Sequence, residues 1–282
     1  MRRVVLCADD YAIAPGVSEA IRQLIAARRI NATSVMTVFD GLKEEADALK
    51  AAARDMGASI GLHVTLTGTF APLTAGMAGP LGTFPALSAL LVAALTRRLD
   101  PKAVAAEVEA QFLAFAEAFG GPPDHVDGHQ HVHVLPVVRR AVLAATARHA
   151  PKAWLRDVTP AKGALNGFDF KGRLIGSFAR GFARDAARLS LVTNSGFGGA
   201  YDFSAGHDFA ALLTHFLKGV PEGGLVMVHP GRVDDPLTAR DPLTHQREVE
   251  YEVLRGEGMR VILDAADVRL SLPEGMGHKA AA

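Results

Sequence analysis

The chain has 282 residues, of which 30 are basic and 30 are acidic, so its formal net charge at pH 7 is zero. This balance argues against nucleic acid or an anionic membrane as the main partner. The single cysteine, Cys7, excludes an internal disulfide and predicts a cytoplasmic protein. Since no stretch reaches the roughly 18 uninterrupted apolar residues of a membrane span, we also expect no transmembrane segment.

Strands and helices alternate in the first part of the chain. Residues 4–8 form an apolar run, which predicts a strand buried on both faces as in a parallel sheet. Residues 15–29 carry apolar side chains at helical spacing, and 44–56 form the next helical segment. The runs 32–38 and 59–64 predict the second and third strands.

A long loop then separates these elements from the next helices. Residues 65–83 are rich in glycine, proline and threonine, and loops of this length in a compact domain usually serve the site. We expect this loop and the segment 163–195 to select the substrate. Residues 84–95 predict a core or lid helix, and 101–119 predict an amphipathic helix. A strand follows at 124–128.

The last part of the chain contains four more apolar runs. They predict strands at residues 153–156, 190–193, 225–229 and 260–263. The glycine-rich stretch 194–199 lacks the lysine of a phosphate-binding loop, so we interpret it as a flexible active-site loop.

About eight strands separated mostly by helices imply parallel strands joined by right-handed crossovers. The predicted fold class is therefore α/β, of the (β/α) barrel type, with mostly parallel strands and a closure that need not be regular. We expect a single domain over residues 1–271 and a flexible tail over 272–282. An open doubly wound sheet is the alternative.

Carboxylates and imidazoles follow several of the predicted strands. The first run ends in Asp9 and Asp10, the third in His63, and a later one in His229. Because active sites of such barrels lie at the carboxyl ends of the strands, these side chains are expected at one rim. Taken singly, the aspartate pair is also typical of a helix N-cap and His63 of a hydrogen-bonded core histidine.

Four of the eleven histidines lie within residues 125–133. If this stretch is extended, His125, Asp127 and His129 share one face. If it becomes helical after Gly128, His129 and His133 are neighbours one turn apart. Either geometry brings imidazoles together, and nitrogen and carboxylate ligands with open positions are typical of a catalytic metal site.

These motifs resemble the YdjC-like (ChbG/HpnK) carbohydrate deacetylase family over nearly the whole chain. The matching residues are Asp9-Asp10-Tyr11 with Pro15-Gly16, Gly61-Leu62-His63, Asp127-Gly128-His129-Gln130-His131 and His229-Pro230. The resemblance implies a (β/α)-barrel-type enzyme that removes N-acetyl groups from sugars with a divalent metal. One departure is Ala12, which stands where the family pattern has glycine and affects the local turn.

The resemblance also implies roles for particular residues. Asp10, His63 and His129 match the metal ligands, and Asp9 matches the catalytic base. His229 matches a late histidine that acts as an acid or stabilises the transition state. The implied cofactor is one divalent ion, magnesium or zinc first, with manganese or cobalt as alternatives.

The remaining polar residues of the rim are expected to support this site. His125, Asp127, His131 and His133 would orient the ligands. Arg156 would contact the substrate or pair with an acid. The expected partner is an N-acetylated sugar, and a homodimer is a further expectation. Two other functions stay open at this point: a metal-dependent phosphoesterase or amidohydrolase on a related barrel, and a non-catalytic sugar-binding protein with a structural metal.

Overall fold

A curled parallel sheet forms the centre of the computed structural model, which describes residues 1–165, 176–203, 206–273 and 275–276. Its strands in these ranges are β1 (Arg2–Tyr11), β2 (Ala32–Val35), β3 (Ser59–Val64), β4 (His125–Gly128), β5 (Trp154–Leu155), β6 (Val192–Thr193), β7 (Phe197–Gly198), β8 (Leu225–Val228) and β9 (Val268–Leu270). They run in the order β6-β5-β4-β3-β2-β1-β8-β7, and β9 pairs with the start of β1.

The sheet curls so far that its two ends approach each other. Pro160, which follows β5, forms a parallel bridge with Phe197 in β7. The N–H of Phe197 donates to the carbonyl of Thr159 at 3.2 Å, and the N–H of Ala161 donates to the carbonyl of Phe197 at 2.9 Å. The prediction of a (β/α)-barrel-type fold is thereby confirmed, in an irregular half-barrel form, and the open sheet was the wrong alternative.

Helices surround the sheet in the described ranges. They are α1 (Pro15–Ala26), α2 (Leu42–Ala53), α3 (Leu87–Leu95), α4 (Pro101–Phe119), α5 (Val138–His149), α6 (Phe182–Ala187), α7 (Phe209–Gly219), α8 (Asp235–Arg240), α9 (His245–Arg255) and α10 (Gly258–Ala266). Short 3-10 segments lie at Ala75–Met77, His129–Val134 and Lys162–Ala164. No helix in this part of the molecule is long and apolar enough to cross a membrane.

Local sequence explains the best-defined elements. The side chains of β1 from Val4 to Ala8 are fully buried because helices cover the outer face of the sheet and the curled sheet encloses its inner face, where Cys7 contacts Ser34 and Arg156. Helix α4 begins where the Asp100 carboxylate accepts the N–H of Lys102, and it ends at Gly120, whose φ of 77° lies in the left-handed region.

Two predictions were wrong in the last part of the chain. Residues 260–263 do not form a strand; they belong to α10, where Met259, Ile262 and Ala266 are buried and Val261 is 69% exposed. An apolar run this short does not distinguish a strand from a buried helix turn. The stretch 194–199 is not a free loop, because β7 lies inside it and the Asn194 side chain binds the backbone of Asp157 in both directions at 2.7 and 2.9 Å.

Other boundaries differ by a few residues, as helix and strand ends usually do. The predicted helix at 84–95 begins at Leu87 because Pro85 precedes it, and the strand at 32–38 ends at Val35. Part of the proposed substrate-selecting segment, residues 166–175, lies outside the described residues. The same holds for residues 274 and 277–282 of the predicted tail.

Candidate active site

A bulge at the end of β1 turns two consecutive aspartates toward the same rim. Cys7 and Ala8 pair in register with β2, but the register shifts before Tyr11, so that Asp9 and Asp10 lie opposite one residue of β2. Adjacent residues of a regular strand point to opposite faces, and a bulge re-aims them. Asp10 has a φ of 66°, a left-handed conformation that aspartate tolerates better than most residues.

Asp10 is the centre of the contacts at this rim. Its Oδ1 lies 2.9 Å from Nδ1 of His129 and 3.2 Å from Nε2 of His63. Its Oδ2 accepts a hydrogen bond from Arg247 at 2.6 Å, and Arg247 also binds Asp241 at 2.6 Å. Burial disfavours the charged carboxylate, but Arg247 and His129 outweigh burial and hold the pKa of Asp10 well below its ordinary value.

Asp127 orients the ring of His63 through Nδ1, the ring nitrogen that does not face Asp10. Nδ1 of His63 lies 2.6 Å from Oδ1 of Asp127, so Nδ1 carries a proton that it donates to this carboxylate, and without a metal Nε2–H faces Oδ1 of Asp10. The Oδ2 of Asp127 accepts a hydrogen bond from Ser34 and forms an ion pair with Nη2 of Arg156, each at 2.5 Å. Burial disfavours the charge on Asp127, yet Arg156 and His63 hold its pKa well below the ordinary value.

Asp9 forms a buried bidentate pair with Arg156. Its two oxygens lie 2.6 Å from Nη1 and Nη2 of the guanidinium. Of the two expectations for Arg156, substrate contact or an ion pair, the structure shows the ion pair, with both Asp9 and Asp127. Asp9 nevertheless stays close to the centre, because the ligand atoms of Asp9, His63 and Asp127 lie within 4.8 Å of one another.

His125 lies one layer below the rim and is fully buried. Its Nδ1 is 2.7 Å from the hydroxyl of Ser59, its Nε2 is 3.1 Å from that of Ser34, and its ring stacks on Trp154 with 4.2 Å between centroids. Burial lowers its pKa to about 4, so the ring is neutral at pH 7. Gly61 leaves room for this ring, since a Cβ there would lie 2.2 Å from Nε2 of His125.

Neither of the two conformations considered for the histidine-rich segment is found intact. His125 and Asp127 share a face of β4, as an extended chain requires. After Gly128 the backbone enters a 3-10 segment in which Gln130 and His131 have φ values of 51° and 59°. His129 and His133 are therefore not stacked along one helix face.

The remaining histidines of this segment diverge. Nε2 of His133 lies 2.8 Å from the carbonyl oxygen of Arg156, while His129 faces Asp10. His131 packs edge-on against Phe197 at 5.4 Å between centroids. Its Nδ1 is buried without a hydrogen-bond partner among the described residues.

His229 follows β8, the strand that pairs directly with β1, and Val228 before it lies opposite Ala8, so His229 reaches the rim next to Asp9. Its backbone N–H donates to Oε2 of Glu250 at 2.5 Å, and its ring meets Phe203 edge-on at 5.3 Å. Nδ1 of this ring is also buried without a partner in the described ranges. Burial lowers its pKa to about 4, although Asp10 and Asp9 act in the other direction.

The model of the family described as YdjC-like protein matches residues 3–265. The chain belongs to this family. A human protein named carbohydrate deacetylase is 28% identical over 255 residues, which cover 84% of this chain and 77% of the human one. A chitooligosaccharide deacetylase of Proteus mirabilis (strain HI4320) is 24% identical over 271 residues, covering 91% and 92% of the two chains.

A solved structure supports the fold of this YdjC-like chain. It is a protein from Enterococcus faecalis V583 that is provisionally described as a cellobiose-phosphate cleavage protein. The two share 18% sequence identity and superpose with a TM-score of 0.74 over 98% of this chain and 99% of the other. At this level of identity the likeness shows a common half-barrel fold.

Among the residues that the structure describes, three groups of side chains have ligand atoms close enough together to hold a cation. Two of them, Cys7-His125-Asp127 and Asp9-His63-Asp127, are already in contact with the Arg156 guanidinium, which is itself a cation. Asp10 of the third group, Asp10-His63-His129, also binds a guanidinium, that of Arg247, but through Oδ2, so that Oδ1 and two imidazole nitrogens still face each other. Two ligand atoms at about 2.0–2.2 Å from a tetrahedral zinc ion lie about 3.3–3.6 Å apart, so the observed separations of 2.9 and 3.2 Å need only a small widening to admit a metal.

The sequence analysis missed the contribution of α9. Arg247, Glu250, Tyr251 and Leu254 are buried at helical spacing, and the first two reach Asp10 and His229. A recognisable signal was present, since two charged residues occupy a stripe that would otherwise be apolar. Charge on the buried face of a helix indicates specific partners in the fold.

Helix α4 anchors the loop after β3, another contribution that was missed. The amide of Gln111 binds the N–H and the carbonyl of Thr65 at 2.9 and 2.7 Å. The buried carboxylate of Glu107 accepts the backbone N–H groups of Leu73 and Thr74 at 3.1 and 2.8 Å. The loop also brings Phe70 against His129, with 6.1 Å between ring centroids.

Proposed function

We propose that this protein is a metal-dependent hydrolase that removes N-acetyl groups from an amino sugar or oligosaccharide. The observation that carries the proposal is the convergence of Asp10, His63 and His129 beside the buried carboxylate of Asp9. The names of the human and Proteus mirabilis relatives, carbohydrate and chitooligosaccharide deacetylase, supply the substrate class.

The proposed metal site uses Oδ1 of Asp10, Nε2 of His63 and Nδ1 of His129. The donor set of two imidazoles and one carboxylate suits zinc and also accommodates magnesium, manganese or cobalt with added water. A bound divalent ion would polarise the amide carbonyl and lower the pKa of a water molecule.

Asp9 is proposed as the base that accepts the proton of the attacking water. Arg156 holds both oxygens of Asp9 at 2.6 Å, which fixes the direction of the carboxylate while each oxygen retains a second lone pair. The fixed carboxylate would then receive the proton without first changing its rotamer.

His229 is proposed as a hydrogen-bond donor to the oxygen of the reacting amide. With a pKa lowered to about 4, its ring is neutral at pH 7 and carries one N–H. A neutral ring stabilises developing negative charge by donating this hydrogen bond. It can also deliver a proton to the departing amine, provided that a proton reaches the ring during the reaction.

The test is acetate release from a panel of N-acetylated sugars by chelator-treated protein before and after reloading with each of the four metals. We expect acetate only from the reloaded protein, and none from the His129→Ala variant. Phosphorylated sugars in the same assay separate this function from a phosphoesterase. Phosphate release without acetate release would contradict the proposal.

A further inference from the structure

Helix α9 binds the backbone of the short segment His229-Pro230-Gly231 through both N–H groups of that segment. The N–H of His229 donates to Glu250 at 2.5 Å, and the N–H of Gly231 donates to the backbone carbonyl of Arg247 at 3.0 Å. Pro230, between them, has no N–H. The position of the His229 backbone is therefore fixed by α9 rather than by the neighbouring strands alone.

The second carboxylate oxygen of Glu250 holds the segment that packs on the imidazole. Oε1 accepts the hydroxyl of Tyr201 at 2.5 Å. Two residues later, the ring of Phe203 meets the ring of His229 at 89° with 5.3 Å between centroids. Glu250 thus joins the backbone of His229 to the aromatic segment that contacts its side chain.

A carboxylate in this position is costly to bury. Glu250 is fully buried and both of its donors are neutral groups. The guanidinium of Arg247, one turn earlier, binds Asp10 and Asp241 instead, each at 2.6 Å. Burial raises the pKa of Glu250 to about 7, while the hydrogen bonds from Tyr201 and His229 act in the other direction. These two hydrogen bonds are therefore the feature that accounts for an acid here.

We propose that Glu250 is a positioning residue for His229, acting through the backbone N–H and through Tyr201, and that it does not touch the substrate. The rate measurements below rest on the proposed deacetylase function, whereas the spectroscopic and exchange measurements do not.

The experiment compares Glu250→Gln and Glu250→Ala with a control on the same helix, Glu252→Ala, whose carboxylate is exposed and binds only Arg255 in the described structure. In Glu250→Ala we expect kcat to fall about 10- to 100-fold while KM stays within about threefold, since misplacement affects the reacting geometry more than substrate affinity. Metal affinity should be unchanged. Glu250→Gln should recover to within about threefold of wild type, because its amide can accept from His229 and donate to Tyr201.

Heteronuclear NMR of the histidine rings gives a second readout, with the His229 signals assigned from a His229→Asn variant. We expect these signals to move in Glu250→Ala and to stay in place in Glu252→Ala, with or without metal. Unchanged His229 signals, or wild-type kcat in a folded Glu250→Ala, would overturn the proposal. Equal loss of activity in the Gln and Ala variants, matched by equal loss of melting temperature, would also overturn it.

Hydrogen exchange of the wild-type chain keeps the proposal testable if Glu250→Ala does not fold. The amide of His229 should exchange as slowly as those of β8, and faster in Tyr201→Phe. Rapid exchange in the wild type would overturn the proposal. If wild type releases no acetate from any sugar, the deacetylase function fails, while the NMR and exchange results still decide the role of Glu250.

Discussion

The two sides of the candidate site differ in how their polar atoms are satisfied. On the side formed by β1, β3 and β4, the carboxylates of Asp9, Asp10 and Asp127 each bind a guanidinium or an imidazole. On the side of β7 and β8, Nδ1 of His131 and Nδ1 of His229 are buried without partners among the described residues. Aromatic rings, not charges, contact these two histidines.

The difference lies in the partners of the imidazoles, since the rings of His63 and His129 contact carboxylates whereas those of His131 and His229 contact aromatic rings. Unpartnered buried nitrogens occur on both sides in the described residues, at Nε of Arg156 and Nδ1 of His133 as well. The carboxylate side already has the geometry that a cation needs. Of the four predictions below, the first three test whether metal binding and catalysis belong to different residues of the carboxylate side, and the fourth tests the turn that follows its aspartates.

Removing a ligand should have the largest effect. Removing a hydrogen-bond partner of a metal ligand typically weakens metal binding by about 10- to 100-fold, and removing the ligand itself should cost more. We therefore expect His129→Ala to weaken metal binding by at least about 100-fold and to reduce kcat/KM by more than about 10³-fold. Metal content by mass spectrometry and calorimetric titration are the measurements. His215→Ala, a partly exposed histidine on α7, serves as the control. Full metal occupancy in His129→Ala would exclude this ligand.

Changing the proposed base should separate turnover from metal binding. Asp9→Asn should keep the metal, because Asp9 pairs with Arg156 and not with the two imidazoles, and should lose about 10²- to 10⁴-fold in kcat. Asp10→Asn is the matched comparison and should lose the metal as well. If both variants retain equal metal and equal activity, the division of labour between the two aspartates is wrong.

Metal affinity should depend on pH through His63. Burial alone would lower the pKa of His63, but Asp127 and Asp10 raise it to about 10, so the metal-free ring is protonated at pH 7. A metal ligand must lose this proton, and the apparent affinity should therefore rise about tenfold per pH unit between about pH 6 and 8. Calorimetry in buffers of different ionisation enthalpy would count the released proton. A slope of zero would contradict the assignment.

The smallest effect is expected at the turn after the aspartates. Ala12 has a φ of 75°, a left-handed conformation that costs a residue with a Cβ about 1–2 kcal/mol. Glycine at this position has no such steric cost, but it loses more conformational entropy on folding, which costs about 0.5–1 kcal/mol. The net result is that Ala12→Gly should raise the free energy of unfolding by about 0.5–1 kcal/mol. Ala51→Gly, on the exposed face of α2, should lower it by about 1 kcal/mol. Urea denaturation distinguishes the two signs.

The sequence predicted the parts of the fold that are long or strongly periodic. Strand β3 and helix α4 were predicted with the bounds the structure has, and the carboxyl ends of β1, β3 and β4 do bring Asp10, His63 and His129 together. Strand β7 was missed because glycines surround its two residues in a stretch typical of a loop, and β9 because Arg269 interrupts its three residues, so that no apolar run marks it.

The contacts between distant elements were beyond sequence reasoning. The bulge that aligns Asp9 with Asp10 depends on pairing with β2, and the contact of Arg247 with Asp10 joins residues 237 positions apart. Neither is encoded in a local pattern. The family resemblance supplied the candidate ligands and base. The structure shows that Arg156, already named from the sequence, pairs with Asp9 and Asp127, and it adds the contacts of Arg247 with Asp10 and of Glu250 with the backbone of His229.

The bulge in β1 also fixes how this chain tolerates changes of length. Since the strand carries one surplus residue at Asp9 and Asp10, deleting either aspartate would restore regular pairing with β2 and leave one carboxylate at the rim. Inserting a residue would turn Tyr11, the last residue of the strand, to the other face. A point substitution removes one function of the pair, whereas a change of length in this strand removes the alignment itself, so homologous chains should vary around this position in residue type but not in residue number.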